Sequence, residues 1–252
     1  MPESLGNTTA ILPPGTVCDD CNNYFSRKVE KPFLEDKEIV LLRTEESIYS
    51  KRKKTPMIKV LFNGEITGQL HRQIVNGHEM TLIELEPENV QEFFKMKESH
   101  MFVKGFSIDH LPEGIIVSRF LAKMALEFLA YRIMNDPEWQ QEIIENEGFE
   151  PLRQHARYGK IKNWPYNVRR IYDTHEKWSH LDEDQQMMWE SDLFFTGTGE
   201  LYFVIAIFGI EFSINVAGPS IEGYEKWLDE NNNESPLYCG KNKIIDNAQN
   251  VN

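Results

Sequence analysis

Two cysteines separated by two residues are the part of this sequence best suited to bind a metal ion. Cys18 and Cys21 lie in the segment PPGTVCDDCNNYF, and Asn22 and Asn23 follow at once. Two thiolates at this spacing can bind one tetrahedral zinc ion, with Zn–S distances of about 2.3 Å. A structural zinc site needs four ligands. The pair therefore predicts half of a zinc site.

Two other uses of the pair remain open. A C-x-x-C pair in a reducing compartment can be redox-active, but that use is typical of a βαβ context, and here a proline-rich loop precedes Cys18. A purely structural role for two buried cysteines is the second alternative. The third cysteine, Cys239, lies in a polar C-terminal stretch, and we expect it to be an unligated thiol.

The wider segment, residues 2–36, resembles the second half of an HNH endonuclease module. Its first five residues, PESLG, match the end of the family's histidine segment and the glycine loop that follows. Cys18 and Cys21 match the family's second zinc pair, and Asn22 matches the His-or-Asn position at the start of a helix. The sequence EKPFL near the end of the segment is similar to HNH proteins that carry a large C-terminal extension.

The resemblance implies a ββα-metal fold and metal-dependent hydrolysis of DNA phosphodiester bonds. It implies a structural Zn²⁺ bound in part by Cys18 and Cys21, and a catalytic Mg²⁺ or another divalent cation. Asn22 is the implied catalytic residue, because its side-chain oxygen suits a hard cation. The family's histidine is the general base, a role that its near-neutral pKa favours. DNA is the implied partner.

The sequence departs from the family pattern at its beginning. If Pro2 is the family proline, the family histidine belongs two positions before Met1, and the first C-x-x-C lies further upstream. We therefore expect the chain to start inside the motif, with half of the zinc site and impaired catalysis. The family's middle asparagine is also not evident, because Leu12 or Pro13 occupies its region.

The histidines of the chain are not expected to replace the missing one. Asp109-His110-Leu111-Pro112 copies the Asp-His-x-Pro pattern, but it follows the cysteine pair instead of preceding it. The other six histidines show no metal-ligand spacing, and we expect them to be ordinary surface or core residues.

Composition limits the class of protein. The net charge of −13 argues against a protein that coats nucleic acid, because an acidic surface repels phosphate. It allows a local basic face, for which residues 51–54, Lys-Arg-Lys-Lys, are a candidate, although such runs are usually solvated. No apolar run approaches the roughly 18–20 residues of a membrane span, and no secretory signal is evident. We therefore expect a cytoplasmic protein without a membrane partner.

The hydrophobic pattern predicts an α+β fold. We expect a partial ββα-metal module in residues 1–36, an α+β domain with an antiparallel C-terminal sheet in residues 37–229, and a polar, disordered tail in residues 230–252. The predicted helices are residues 19–31 (ended by Pro32), 87–97, 117–134 (capped by Ser118), 137–146 (capped by Asp136, stopped by Gly148) and 224–229. The predicted strands are residues 39–43, 57–62, 80–86, 166–172, 187–195, 201–208 and 211–216.

A function of a different class is the alternative to a nuclease. Residues 37–229 are much longer than the HNH-like segment, and they would then be the working part of a non-catalytic nucleic-acid-binding or protein-interaction protein. A plain globular domain with structural cysteines is the third interpretation. Zinc content and binding to a DNA duplex discriminate among the three.

Overall fold

The computed structural model describes residues 2–7, 11–12, 15–103, 110–174, 176–180 and 183–238. The chain divides into two compact units. The smaller unit consists of Pro2–Thr8 and Lys31–Pro112, and the larger unit consists of Met1, Thr9–Glu30 and Glu113–Asn252. These bounds differ from the three predicted segments, because residues close to both ends of the HNH-like segment group with the smaller unit.

The cysteine pair lies at the start of a helical segment. Helix α1 covers Asp19–Phe25, a π-helical stretch covers Ser26–Glu30, and α2 covers Lys31–Leu34. The prediction that Pro32 ends the helix is wrong. Pro32 is the second residue of α2, which follows the π-helical stretch without a break, so the helical path continues through the proline to Leu34.

The smaller unit contains a four-stranded antiparallel sheet. After α3 (Lys37–Glu45), the elements are β1 (Ile58–Phe62), β2 (Ile66–Val75), β3 (His78–Leu85), α4 (Pro87–Lys95) and β4 (Met101–Val103), and the strand order is β3-β2-β1-β4. The core of the sheet contains Val60, Phe62 and Ile66, against which Phe93 of α4 packs. Residues 57–62 and 80–86 are confirmed as strands, and residues 87–97 as a helix.

Residues 39–43 were wrongly predicted as a strand. They belong to α3, whose start is capped by Asp36: its Oδ1 accepts a hydrogen bond of 2.9 Å from the Glu38 amide. Ile39 and Leu42 are both buried, and their spacing of three places them on one helical face. A short apolar run has the same composition in a strand and in a helix, so the cap decides the structure here.

The larger unit combines helices with a second antiparallel sheet. Its elements are α5 (Ile115–Arg132), α6 (Pro137–Glu145), α7 (Glu150–Tyr158), β5 (Tyr166–Arg170), β6 (Lys177–His180), β7 (Glu183–Gln186), β8 (Trp189–Phe195), β9 (Leu201–Ile207), β10 (Ile210–Asn215) and α8 (Glu222–Glu230). The sheet has the order β5-β10-β9-β8, and β6 pairs with β7 in a separate hairpin. Every residue of β10 is buried, so this strand lies at the centre of the core. The α+β class and the antiparallel C-terminal sheet are thus confirmed.

Two predicted helix caps have opposite outcomes. Asp136 caps α6 as expected, and its Oδ1 accepts hydrogen bonds from the amides of Glu138 and Trp139. Ser118 does not cap α5, which begins after Gly114; Ser118 is buried inside the helix instead. The predicted helix at residues 137–146 is α6, which ends at Glu145 with Asn146 as its C-cap; Gly148 then lies in a 3₁₀ turn that leads into α7.

The prediction of a disordered tail from residue 230 is wrong for its first part. Ser235 and Leu237 are both 2% exposed, and Leu237 belongs to the core beside α8. Ser235 Oγ donates a hydrogen bond to the buried carboxylate of Glu211. The tail beyond residue 238, including Cys239, lies outside the described residues.

Among the described residues, none of the helices has both the length and the apolar composition that crossing a bilayer requires.

Candidate functional site

Cys18 and Cys21 lie side by side at the N-terminus of α1. Cys18 is the N-cap residue, with extended backbone angles (φ −69°, ψ 154°) that turn its side chain back across the start of the helix. Its Sγ accepts a hydrogen bond of 3.3 Å from the Cys21 amide. Cys18 is exposed, Cys21 is half-buried, and neither is in a disulfide. The two thiols therefore occupy one face of the first turn.

The two thiols differ in acidity because they share hydrogen bonds. The bond from the Cys21 amide lowers the pKa of the Cys18 thiol, and the contact with the Cys21 side chain acts in the same direction. The contact with Cys18 raises the pKa of the Cys21 thiol. A helix N-terminus favours negative charge and so acts on the Cys18 thiol in the same direction as these hydrogen bonds. A thiolate is the form that binds metal and attacks disulfides.

The residues present fit half of a zinc site. Two soft sulfur ligands one helical turn apart match the preference of zinc. Within the described ranges, however, no group of three or more His, Cys, Asp or Glu side chains could hold a metal ion. His110 lies 3.4 Å from Asp36 in the smaller unit, and Asp109 lies outside the described residues. A complete zinc site would need ligands that these residues do not place beside the pair.

Asn22, the predicted catalytic residue, follows the pair in the first turns of α1. Its side chain is exposed, and its amide donates to the Cys18 carbonyl oxygen at 2.9 Å. The structure therefore brings Cys18, Cys21 and Asn22 together on one short helix. Asn23, the next residue, is also exposed.

Helix α1 is fixed by two arginines from other helices of the larger unit. The guanidinium of Arg157 in α7 lies over the Tyr24 ring, 3.9 Å from its centroid. Arg119 of α5 donates to the Tyr24 hydroxyl at 3.0 Å and to the carbonyl oxygens of Ala156 and Arg157. These cation–π and hydrogen-bonding contacts hold the helix that carries the cysteines.

A cavity of about 880 Å³ opens beside the cysteine pair. Cys18 and Cys21 form one wall, and the others come from α5, α6 and α7. Its apolar surface includes Ile133 of α5 and Ile143 of α6. A concave, mainly apolar cavity with a few polar groups is the usual form of a ligand site. The sequence pattern did not predict this cavity, because it forms from four separate helices.

Most of the charged groups around the cavity already have partners. Lys123, 5% exposed, lies 2.7 Å from a Glu30 carboxylate oxygen and 2.6 Å from one of Glu127. Arg153 donates to the carbonyl oxygens of residues 143, 144 and 146. Nη1 of Arg157, in contrast, is buried and has no hydrogen-bond partner among the described residues.

A buried serine–histidine pair also lies in the larger unit, and no spacing in the sequence predicts it. Ser118 Oγ donates to the Trp164 carbonyl oxygen at 2.8 Å and accepts from His155 Nε2 at 2.7 Å. Burial lowers the pKa of His155 to about 4, so the imidazole is neutral near pH 7. Because the serine hydroxyl already donates to a backbone carbonyl and both side chains are buried, the pair joins α5 and α7 rather than performing nucleophilic chemistry.

Comparisons with protein-family models, with curated proteins and with solved structures gave no match to this chain.

Proposed function

We propose that this protein is an HNH-type, metal-dependent endonuclease that hydrolyses DNA phosphodiester bonds. The observation that supports the proposal best is the placement of three residues. Cys18 caps α1, Cys21 lies in its first turn, and Asn22 follows directly. A C-x-x-C pair that leads into Asn at the start of a helix is the arrangement that the resemblance implies.

Each of the three residues has a distinct task in this proposal. Cys18 and Cys21 supply two thiolate ligands to a structural zinc ion, which stabilises the small module. Asn22 offers its side-chain oxygen to a catalytic divalent cation such as Mg²⁺. When bound, that cation stabilises the charge that develops on the phosphate and on the leaving oxygen. Among the described residues, this proposal assigns neither the general base nor the other two zinc ligands.

Cleavage of supercoiled plasmid DNA tests the nuclease proposal. The assay compares Mg²⁺, Mn²⁺ and EDTA, and it uses the chain both alone and joined to the residues that its gene encodes in frame before residue 1. We expect nicked or linear DNA with either cation from the extended protein, much slower cleavage by the chain alone, and intact plasmid with EDTA. Intact plasmid with both proteins and both cations would contradict the proposal.

Zinc content tests the role of the cysteines separately from cleavage. We expect Cys18→Ser and Cys21→Ser each to lower the zinc that remains bound after dialysis, because each removes one ligand. Cys239→Ser is the matched control and should leave the zinc content unchanged. Equal zinc in all three variants, measured by elemental analysis, would remove the pair from the zinc site.

Non-catalytic binding of nucleic acid is the second candidate, and one observation favours it. Lys51, Arg52 and Lys53 lie next to each other in the loop between α3 and β1, and all three are exposed. Such a cluster can contact phosphates despite the acidic net charge. Retention of a labelled duplex at low salt, without cleavage in any metal, would support this candidate over the nuclease.

A further inference from the structure

We propose that Cys18 and Cys21 form a reversible disulfide within α1 by exchange with a low-molecular-weight disulfide. The pair is then a site of redox modification. Disulfide formation requires no nuclease activity, so it can occur whether or not the proposed function is right. If the pair also binds zinc, oxidation would remove both thiolate ligands at once and so control the metal site.

The geometry of the pair permits a disulfide without rearrangement of the helix. Residues three apart in a helix have Cα atoms about 5 Å apart, inside the range of about 4.4–6.8 Å that disulfides span. Cys18 Sγ already lies 3.3 Å from the Cys21 amide nitrogen. Since Cys21 Sγ is attached to that nitrogen through only two carbon atoms, rotation of the Cys21 side chain brings the sulfurs together.

The pair is also accessible, and its two members are not equivalent. Cys18 is exposed and Cys21 is half-buried, and both line the 880 Å³ cavity. A cavity of this size can admit a small peptide disulfide such as glutathione disulfide. Arg157, which lines the same cavity, offers a positive charge to the carboxylates of that molecule. Cys18 is therefore the thiol that an external disulfide meets first.

The exchange proceeds in two balanced steps. The Cys18 thiolate attacks one sulfur of glutathione disulfide, forming a mixed disulfide and releasing one glutathione thiolate. The Cys21 thiolate then attacks Cys18 Sγ, forming the Cys18–Cys21 bond and releasing the second glutathione thiolate. Two electrons pass from the cysteine pair to the external disulfide. The two protons lost by the cysteines go to solvent and protonate the released thiolates.

Mass spectrometry of the metal-free chain in glutathione buffers of graded ratio tests this proposal. Free thiols are blocked with N-ethylmaleimide and the chain is digested with trypsin. Both cysteines fall in the peptide of residues 1–27, because no Lys or Arg precedes Arg27. We expect this peptide to appear lighter by two hydrogens and unlabelled under oxidising buffer, and doubly labelled after reduction.

Single substitutions test the order of the two steps. In Cys21→Ser we expect a stable glutathione adduct on Cys18, because the resolving thiol is missing. In Cys18→Ser we expect the adduct on the half-buried Cys21 to form about tenfold more slowly. Cys239→Ser should give the same internal disulfide as the unaltered chain. Circular dichroism of each variant shows whether the fold is retained.

Three results would overturn the proposal. The first is a peptide of residues 1–27 that takes two labels at every glutathione ratio. The second is an oxidised peptide linked to Cys239 in place of the internal bond. The third is equal adduct rates in Cys18→Ser and Cys21→Ser. Protection of the thiols by one equivalent of Zn²⁺ bears on the zinc proposal alone, so the two proposals can fail separately.

Discussion

His155 shows how a single residue links packing to pH. The residue is fully buried, stacks on Trp164 with ring centroids 5.3 Å apart, and donates to Ser118. Desolvation is the main reason why its pKa falls to about 4, and the positive charge of Arg119 acts in the same direction. In the unfolded chain the pKa returns to about 6.5. The folded state therefore favours the neutral imidazole, and protonation of His155 favours unfolding.

We predict that this histidine destabilises the fold as the pH falls from about 6.5 towards 4. In that window the unfolded chain binds a proton that the folded chain does not, so the free energy of unfolding decreases, by on the order of 1–3 kcal/mol. Urea denaturation at several pH values measures this. Between pH 6.5 and 4, the free energy of unfolding of His155→Gln should decrease less than that of the unaltered chain. The control, His78→Gln at an exposed position, should show the same decrease as the unaltered chain. Identical pH profiles for both variants would contradict the prediction.

At the site, local motifs were predictable from the sequence and distant contacts were not. The sequence predicts Cys18, Cys21 and Asn22 as site residues because their metal-binding chemistry depends on their spacing along the chain. The start of α1 then places them close together. The contacts of Arg157 with Tyr24 and of His155 with Ser118 join residues from different helices. No pattern in the sequence reports such a contact, because it depends on how the helices pack.

Two turns in the antiparallel sheet of the larger unit contain residues with positive φ angles. Phe208 and Gly209 connect β9 to β10 with φ values of 51° and 75°, and Gly199, in the turn between β8 and β9, has φ 83°. A Cβ on Gly209 would lie inside van der Waals contact of the Tyr172 carbonyl oxygen. A Cβ on Gly199 would meet nothing within 4 Å.

We predict that Gly209→Ala is far more destabilising than Gly199→Ala. Both alanines adopt a left-handed backbone, at a cost of about 1–2 kcal/mol. Gly209→Ala must also displace a backbone carbonyl, which should raise its total to about 3 kcal/mol or more. Thermal unfolding followed by circular dichroism compares the two variants within one sheet. A Gly209→Ala midpoint equal to that of Gly199→Ala would show that the turn adjusts freely.

Long elements with a clear period were predictable, and short ones were not. The predicted helix at residues 117–134 corresponds to α5 (Ile115–Arg132), because its apolar positions follow the helical repeat over many turns. Strand β2 was missed, since Gly68 and Arg72 interrupt the apolar side of its alternating sequence, ITGQLHRQIV. Helix α7 is also not among the predicted elements; it follows α6 through a 3₁₀ turn at Glu147–Phe149.

For the whole molecule, the net charge of −13 decides what kind of DNA contact is possible. The negative protein repels DNA phosphates at long range, so any binding depends on local basic groups that contact the phosphates at short distance. The basic loop at residues 51–54 in the smaller unit, in which Lys51, Arg52 and Lys53 are exposed, is the group proposed for such a contact. Binding through it should weaken steeply as salt rises, because the contact releases counterions from the DNA.

We predict that the position of the basic side chains, and not the total charge of the protein, determines how much DNA is retained. Arg52→Ala/Lys53→Ala and Lys95→Ala/Lys97→Ala remove two positive charges each, and all four side chains are exposed in the smaller unit. The first pair should weaken low-salt binding of a labelled duplex and flatten its salt dependence, whereas the second pair should change both little. Equal losses in the two double variants would mean that only the overall charge matters.

The most direct test of the proposed nuclease compares Asn22→Ala with Asn23→Ala in plasmid cleavage with Mg²⁺ or Mn²⁺, by the chain joined to the residues that its gene encodes in frame before residue 1. Both asparagines are exposed neighbours on α1, so the substitutions remove the same group from adjacent positions. We predict that Asn22→Ala lowers the cleavage rate by about tenfold or more, as loss of a metal-binding group does, and that Asn23→Ala leaves it nearly unchanged. Equal rates in the two variants would contradict the assignment of Asn22 and the HNH interpretation that rests on it.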